Sequence, residues 1–310
     1  MRPNFNVGWT AGARQEAPII LQQISPDHTR SGPHAGTDTP RPHDVAVDIG
    51  GTSWSVATWR NNGLHLVGSG TTGTASPGDL VELRATFQQA CVSAITESPA
   101  PLRVGVSFPG SVNSSGVVVA WPNRPLWIGW RLREVLGFPP GVAATMCDDG
   151  VAAILGEGML GVGRGVADFL LVSFGTGIGG GVLLDRRVRP AAHDARTIGH
   201  IRALGTDRLC RCGHRGCLQT ALETLPDDEG LARQGLTTWP DGMRLVDTLS
   251  DLARVLGVPT VVLTGGRLRR SALRQTLTSA MTAAGLRVLV PIDTEGSALL
   301  GAFLAKEPLP

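Results

Sequence analysis

The sequence contains no tyrosine, and in 310 residues only 5% are aromatic and 17% charged. Its 28 basic and 26 acidic residues leave a formal net charge of +2, spread along the chain, so no nucleic-acid partner is expected from a basic patch or an arm. No apolar run approaches the roughly 20 residues needed to span a bilayer, and Met1 to Asn6 lead into no signal-peptide segment. The expected location is the cytoplasm, with no membrane partner. The pattern G-x-x-x-x-G-K-[ST] is absent, which excludes a P-loop. The 41 Gly and 21 Pro follow no collagen-like period, and a 42% hydrophobic fraction is too high for wholesale disorder.

At about 150 residues per domain, the chain should make roughly two lobes, each with its own core. Residues 1–43 are rich in Pro, His, Thr, Gln and Gly, with one short apolar patch at Ile19 to Leu21 and no sustained period, the profile of a disordered extension. From Asp44 the pattern changes. Val45 to Ile49 reads as a buried strand, Gly50-Gly51-Thr52 as a turn and Trp54 to Trp59 as a second strand. Leu80 to Thr96 has helical spacing, Arg103 to Phe108 is a strand closed by Pro109-Gly110, and Gly150 to Met159 is a helix. A second cycle begins at Asp168 to Phe174, turns through Gly175 to Gly181 and returns at Val182 to Leu184. It repeats the layout of residues 45–59 and predicts two similar lobes facing each other. Arg244 to Leu256 is expected to be helical, Thr260 to Leu263 a strand before Gly265-Gly266, and Glu295 to Lys306 an Ala/Leu-rich helix with small residues on one face.

Glycines after a buried strand let backbone N–H groups approach an anion, and three such loops in one chain are more than tight turns require. Gly175 to Gly180 also satisfies G-x-G-x-x-G, but that dinucleotide fingerprint must open a helix. Here it runs into Gly181-Val182-Leu183-Leu184-Asp185-Arg186, a strand and polar turn, so a nicotinamide site is not expected.

Of five cysteines, three fall in Cys210-Arg211-Cys212-Gly213-His214-Arg215-Gly216-Cys217. With His200 upstream they supply the donors of a closed tetrahedral zinc site; a disulfide is disfavoured because C-x-C pairs are awkward to bridge. Spacing alone leaves His200 and His214 as alternative fourth ligands. Cys91 and Cys147 follow apolar patterns and read as small core residues. Transfer of a phosphoryl group to a hydroxyl needs a carboxylate to take the hydroxyl proton, and the candidates are Asp148 and Asp149, both at the start of a helix. One of the two is expected to cap it. The positive helix end should favour an ionised Asp149.

Asp48-Ile49-Gly50-Gly51-Thr52, the Ser173 to Leu184 loop, Leu263-Thr264-Gly265-Gly266 and Gly296-Ser297-Ala298-Leu299-Leu300-Gly301-Ala302 resemble the phosphate and adenosine segments of the ROK family of sugar kinases, in order and spacing over residues 44–306. The resemblance implies an α/β, two-lobed, actin-like and hexokinase-like (ribonuclease H-like) ATPase fold with a structural zinc loop. It suggests a small N-terminal lobe at 44–159, a larger lobe at 160–294 with the zinc loop at 200–217, and a helix at 295–306 packing back on the first. It further implies ATP and Mg²⁺ as cofactors and a primary hydroxyl of a hexose or hexose-like molecule as acceptor. Asp48 would sit near Mg²⁺; Gly50, Gly51, Thr52, Gly175, Thr176 and Gly177 would donate to phosphate oxygens, with Gly265 and Gly266 against the nucleotide.

The family pattern C-x-C-G-x-x-G-C with a Gly-His pair selects His200, Cys210, Cys212 and Cys217 as the Zn²⁺ ligands. An ungapped match anchored on Gly156-Glu157 makes Asp149 the catalytic base; a shift by one residue would make it Asp148. Gly110, Ser111, Asn123 and His200 match sugar contacts. Asp148, Thr197 and Gln219 depart from the family's Asn, Glu and Glu, so the substrate is expected to be glucose or, better matched, an amino sugar such as kanosamine or a cyclitol. The rival reading is a sugar-binding regulator without catalysis, although residues 1–43 lack the two helices and basic face of a DNA-binding module. A homodimer is left open.

Overall fold

In the computed structural model, which describes residues 40–73, 76, 78, 80–121, 124–189 and 198–309, the unbroken apolar run Val45–Ile49 (β1) becomes the centre of a sheet, because only a strand with neighbours on both sides can bury every residue but Asp48. Ser53–Arg60 (β2) and Gly63–Thr71 (β3) follow it as an antiparallel hairpin. Their turn is Asn61-Asn62, with φ of 50° and 59°, the left-handed pair that a two-residue hairpin loop requires. Val81–Glu97 (α1) then crosses to Arg103–Ser107 (β4), parallel to β1, and a short ribbon follows, Ser111–Val112 (β5) with Val118–Ala120 (β6). Leu132–Leu136 (α2) leads to Ala143–Cys147 (β7), parallel to β4, and to Asp149–Met159 (α3). Val47, Phe87, Val106, Phe108, Trp127 and Leu136 are fully buried in the core beside this sheet.

The second half repeats the plan. Phe169–Phe174 (β8), Ile178–Leu184 (β9) and Arg187–Arg189 (β10) run antiparallel, with the turn Asp185-Arg186 again left-handed. Asp228–Gln234 (α4) and Pro240–Val255 (α5) precede Thr260–Thr264 (β11), parallel to β8; Ser271–Ala283 (α6) precedes Arg287–Leu289 (β12), parallel to β11. The sheet orders are β7-β4-β1-β2-β3 and β12-β11-β8-β9-β10, so each sheet has the same three antiparallel and two added parallel strands. The expected repeat is a repeat of topology, carried by hydrophobic pattern and turn position with little identity of residues.

Ser297–Ala302 (α7) returns to the first half, and Glu307–Pro308 (β13) adds an edge strand to β7. The helix expected over 295–306 is thus only six residues long: Glu295 N–H is taken by the Asp293 side chain, and Leu304 N–H closes a tight turn onto Gly301 O. Its small face lies on α3 and on the small side chains Ala46 and Ala57 of the first sheet. A Cβ on Gly301 would lie 1.6 Å from Ala152 O and one on Gly156 2.3 Å from Ser297 O, so the two backbones cross in contact. Gly301→Ala should therefore cost about 1–3 kcal/mol or more of stability, read as a lower urea midpoint at unchanged slope. An unchanged midpoint would show that the crossing can open.

Gly179 to Gly181, expected in a turn, are strand residues paired with Ser173 to Leu171; Gly180 has φ of 137° and a Cβ there would meet Leu171 O at 2.0 Å. Residues 1–39, read as an extension, lie outside the described residues. Residues 40–43 are already tied to the sheet, His43 N–H donating to Trp59 O at 2.8 Å. Among the described residues no helix is long and apolar enough to cross a membrane.

Candidate active site between the two sheets

A cleft of about 510 Å³ opens where the C-terminal ends of β1 and β8 face each other. Gly50 to Thr52 line one side and Gly175 to Gly177 the other, and the loops touch: Thr176 Oγ1 lies 3.4 Å from Thr52 Oγ1. A Cβ on Gly51 would press on Thr176 Oγ1 at 3.1 Å, whereas one on Gly175 would project into open space. The third loop, Gly265-Gly266, closes the floor. Gly265 has φ of 102° and a Cβ there would strike the Phe174 backbone at 2.5 Å, so only glycine lets β11 end against β8.

Among the described residues four carboxylates line this cleft, Glu295, which Arg269 holds at 3.2 Å, and three aspartates. Asp48 extends from β1 and accepts from Ser107 Oγ at 2.6 Å; burial nevertheless raises its pKa from 3.8 to about 6. Asp148 is the N-cap of α3, its Oδ1 accepting from Gly150 N–H at 2.9 Å and Val151 N–H at 3.4 Å. Asp149 is the first helical residue and also receives Gly150 N–H, at 2.8 Å. Capping therefore falls to Asp148. The helix end does not keep Asp149 in the ordinary carboxylate range: burial, then the charges of Asp148 and Asp48, hold its pKa well above that range. A helix terminus contributes about 0.3–1 kcal/mol, which burial beside two like charges outweighs. Burial raises Asp148 as well, against the pull of the two N–H groups it caps.

A carboxyl whose pKa is higher in the folded than in the unfolded chain binds more protons when folded, so its contribution to stability falls as pH rises through that interval. In the ligand-free protein, Asp48→Asn should accordingly raise the melting temperature at pH 8, the gain shrinking as pH falls from about 6 and gone below 3.8, where both states of wild type are protonated. A variant less stable than wild type at pH 8 would show that the Ser107 contact outweighs desolvation.

Next to the carboxylates, one ligand atom from each of His200, Cys210, Cys212 and Cys217 lies within 4.8 Å of all the others. Cys212 Sγ is 3.6 Å from Cys217 Sγ, and His200 Nδ1 is 3.6 Å from Cys210 Sγ. Tetrahedral zinc with bonds of about 2.3 Å to sulfur and 2.0–2.1 Å to nitrogen needs edges of roughly 3.5–3.8 Å, so the donors fit that ion. The sulfurs are too far apart for a disulfide. His214 stands outside the cluster, with Nδ1 3.6 Å from Cys212 Sγ. Gln219 Nε2 donates to Cys210 Sγ at 2.8 Å, and its Oε1 would lie 2.6 Å from a Cβ on Gly177. The Gln219 amide can donate to this sulfur, as an ionised carboxylate cannot.

His200 and Gln219 both line the cleft, joining the cysteine cluster to its wall. Gly110 and Ser111 lie beside the wall without lining it; Pro109 and Trp121 face the cleft there instead. Asn123 and Thr197 lie outside the described residues. Trp121 carries no motif in the sequence, where it ends the apolar run Val117 to Ala120 before Pro122. Glu157 was only an anchor for matching, yet it is 2% exposed and accepts from Ser297 Oγ at 2.5 Å. Ser297 Oγ lies 2.7 Å from Thr264 Oγ1, so a buried chain of polar groups links α3 to the residue before Gly265.

A kanosamine kinase of Amycolatopsis mediterranei is 38% identical over 118 residues, 37% of this chain and 38% of that protein. A Thermotoga maritima glucokinase is 29% identical over 177 residues, 56% of this chain and 55% of that protein. The chain thus matches about half or less of the length of these relatives. A ROK family glucokinase from Streptomyces griseus, solved with glucose and AMPPNP, superposes with a TM-score of 0.59 at 22% identity, over 84% of this chain and 98% of that one. A ROK hexokinase from Thermus thermophilus gives 0.63 at 23% identity, covering 84% and 97%. The fold is therefore the two-lobed, actin-like and hexokinase-like one. The model of the ROK family matches residues 44–252, more than half of a chain whose two sheets, glycine loops and cysteine cluster have just been placed, and the protein belongs to the ROK family.

Proposed function

We propose that this protein is an ATP- and Mg²⁺-dependent kinase that phosphorylates the primary (6-) hydroxyl of a hexose or hexose-like substrate in the cytoplasm. The observation that carries this reading is the position of Asp149, which is not the N-cap of α3, uses only Oδ1 on Gly150 N–H, and lines the cleft that two glycine loops close from opposite sides. Oxygen donors such as Asp48 suit Mg²⁺, which when bound neutralises phosphate charge. Asp149 takes the proton of the substrate hydroxyl as the oxygen bonds to the γ-phosphorus and the bond to the ADP oxygen breaks. The N–H groups of Gly51, Thr52, Thr176 and Gly177 donate to the phosphates; Gly50 N–H is taken by Ser53 O at 2.7 Å and Gly175 N–H by Gly177 O at 2.9 Å, so these two glycines, expected as donors, only shape the loops, and Gly265 and Gly266 lie against the nucleotide. His200, Cys210, Cys212 and Cys217 would hold zinc as a structural ion, and the loop they close would keep His200 on the sugar side.

The sugar side of the cleft differs from one built for glucose. Asp148, with one carboxylate oxygen used in capping, offers the other to a donor, and an ammonium group is the strongest such donor. Similarity to a kanosamine kinase supports an amino sugar. The test is ADP release by purified protein against glucose, N-acetyl sugars, amino sugars and cyclitols. An amino sugar should give the highest kcat/KM. Glucose as the clearly best substrate would remove the argument from Asp148, and no turnover with any sugar that binds would remove the kinase reading.

A further inference from the structure

The two glycine loops share a device that no motif requires. In each, a backbone carbonyl is held by an arginine: Arg124 Nη2 donates to Gly51 O, and Arg267 Nε donates to Gly175 O at 2.7 Å. The arginines come from different halves of the molecule, Arg124 just before the turn Pro125–Trp127 and Arg267 from the turn Gly266–Arg269 after β11. A trans peptide points its C=O and the next N–H in opposite directions. Holding Gly51 O thus fixes where Thr52 N–H points, and holding Gly175 O does the same for Thr176 N–H. Both N–H groups lack an acceptor among the described residues, and both threonines line the cleft.

We propose that Arg124 and Arg267 are paired positioning residues that set the 51–52 and 175–176 peptide planes, so that one N–H from each half meets the phosphate chain of the bound nucleotide, and that Arg267 also supplies positive charge to that chain. This rests on the kinase reading above. The chain has a single lysine, Lys306, at its far end, so cationic help in the cleft must come from arginine. Arg270, also in the cleft wall, is committed to Asp228 at 2.6 Å and to Pro226 O. Arg267 keeps its two terminal nitrogens without a partner among the described residues and lines the cleft, where burial and then the charge of Arg270 lower its pKa. Such a guanidinium gains most from a nearby anion. Arg124 is set behind its loop, and its buried Nε has no partner. Its part is orientation.

The experiment is calorimetric binding of AMP, ADP and a non-hydrolysable ATP analogue with Mg²⁺ to the full chain, in wild type, Arg267→Met, Arg267→Lys and Arg124→Met, with melting curves alongside. Arg267→Met should weaken the triphosphate at least about tenfold, the diphosphate less and AMP within about twofold, because a lost charge-assisted contact is felt only where phosphates reach it. Arg267→Lys should recover part of the loss, since it restores the charge without the planar link to Gly175 O. Arg124→Met should weaken ADP and the triphosphate and spare AMP. Equal losses for all three nucleotides, or no loss in folded variants, would overturn the inference. A wild type that binds none of them would overturn the kinase reading, and the inference with it.

Discussion

Asp149→Asn lowers turnover by at least about a hundredfold while sugar and nucleotide affinities change little, the expected result of removing a general base and keeping its shape. Asp148→Asn has a smaller effect on turnover, because its N-cap bonds to Gly150 and Val151 can be kept by an asparagine oxygen. The pair of variants separates the two roles. If Asp148→Asn is the crippling change and Asp149→Asn is tolerated, the base is one residue earlier and the helix cap is also the catalyst. The pH profile is a second reading of the same group. Since burial and two neighbouring carboxylates hold Asp149 above the usual carboxylate range, kcat/KM of wild type should fall on the acid side at a pH above that range. An acid limb in the ordinary range would mean that bound Mg²⁺ or substrate has already relieved the repulsion.

Cys212→Ser should remove most of the zinc and much of the stability. Freshly purified wild type should hold about one zinc per chain by elemental analysis, since four donors of the right type stand within 4.8 Å of one another. A loss of roughly 3 kcal/mol in a lobe of this size would move the melting temperature down by about 6–12 °C. The damage should reach the cleft as well, because Cys212, His200 and Gln219 are all part of its wall. Sugar KM should therefore rise more than nucleotide KM. Zinc-free wild type, purified without chelator, would sink the metal assignment; full zinc content in the variant would show that His214, 3.6 Å from Cys212 Sγ, can move in as a ligand.

Much of this site was legible before any coordinates. Strand, glycine turn and strand at residues 45–59 and again at 169–184 are local signals, each carried by a run of apolar residues and by glycines that allow a tight return. The cysteine loop is legible for a similar reason: C-x-C-G-x-x-G-C packs three soft donors into eight residues. Less visible was everything that depends on two distant segments meeting. Trp121 in the cleft wall, Glu157 joined through Ser297 to Thr264, and the arginines on Gly51 and Gly175 carry no local pattern: Glu157 meets Ser297 140 residues on, and Arg124 and Arg267 meet Gly51 and Gly175 across 73 and 92 residues.

The amino-acid sequence by itself determined the two repeated halves, the glycine loops, the donor set for zinc and the narrowing of the base to two adjacent aspartates, since these follow from periodicity, turn chemistry and ligand type within short windows. The tertiary structure decided which aspartate is the N-cap of α3, that His200 stands with the cysteines, and that the last helix shrinks to six residues crossing α3 at Gly301. It also raised the pKa of Asp149, where the helix end alone would lower it. A helix end acts over one turn, but desolvation and repulsion are set by every group folded around the carboxylate, and Asp48 reaches it from a strand 101 residues earlier only when the two halves are built.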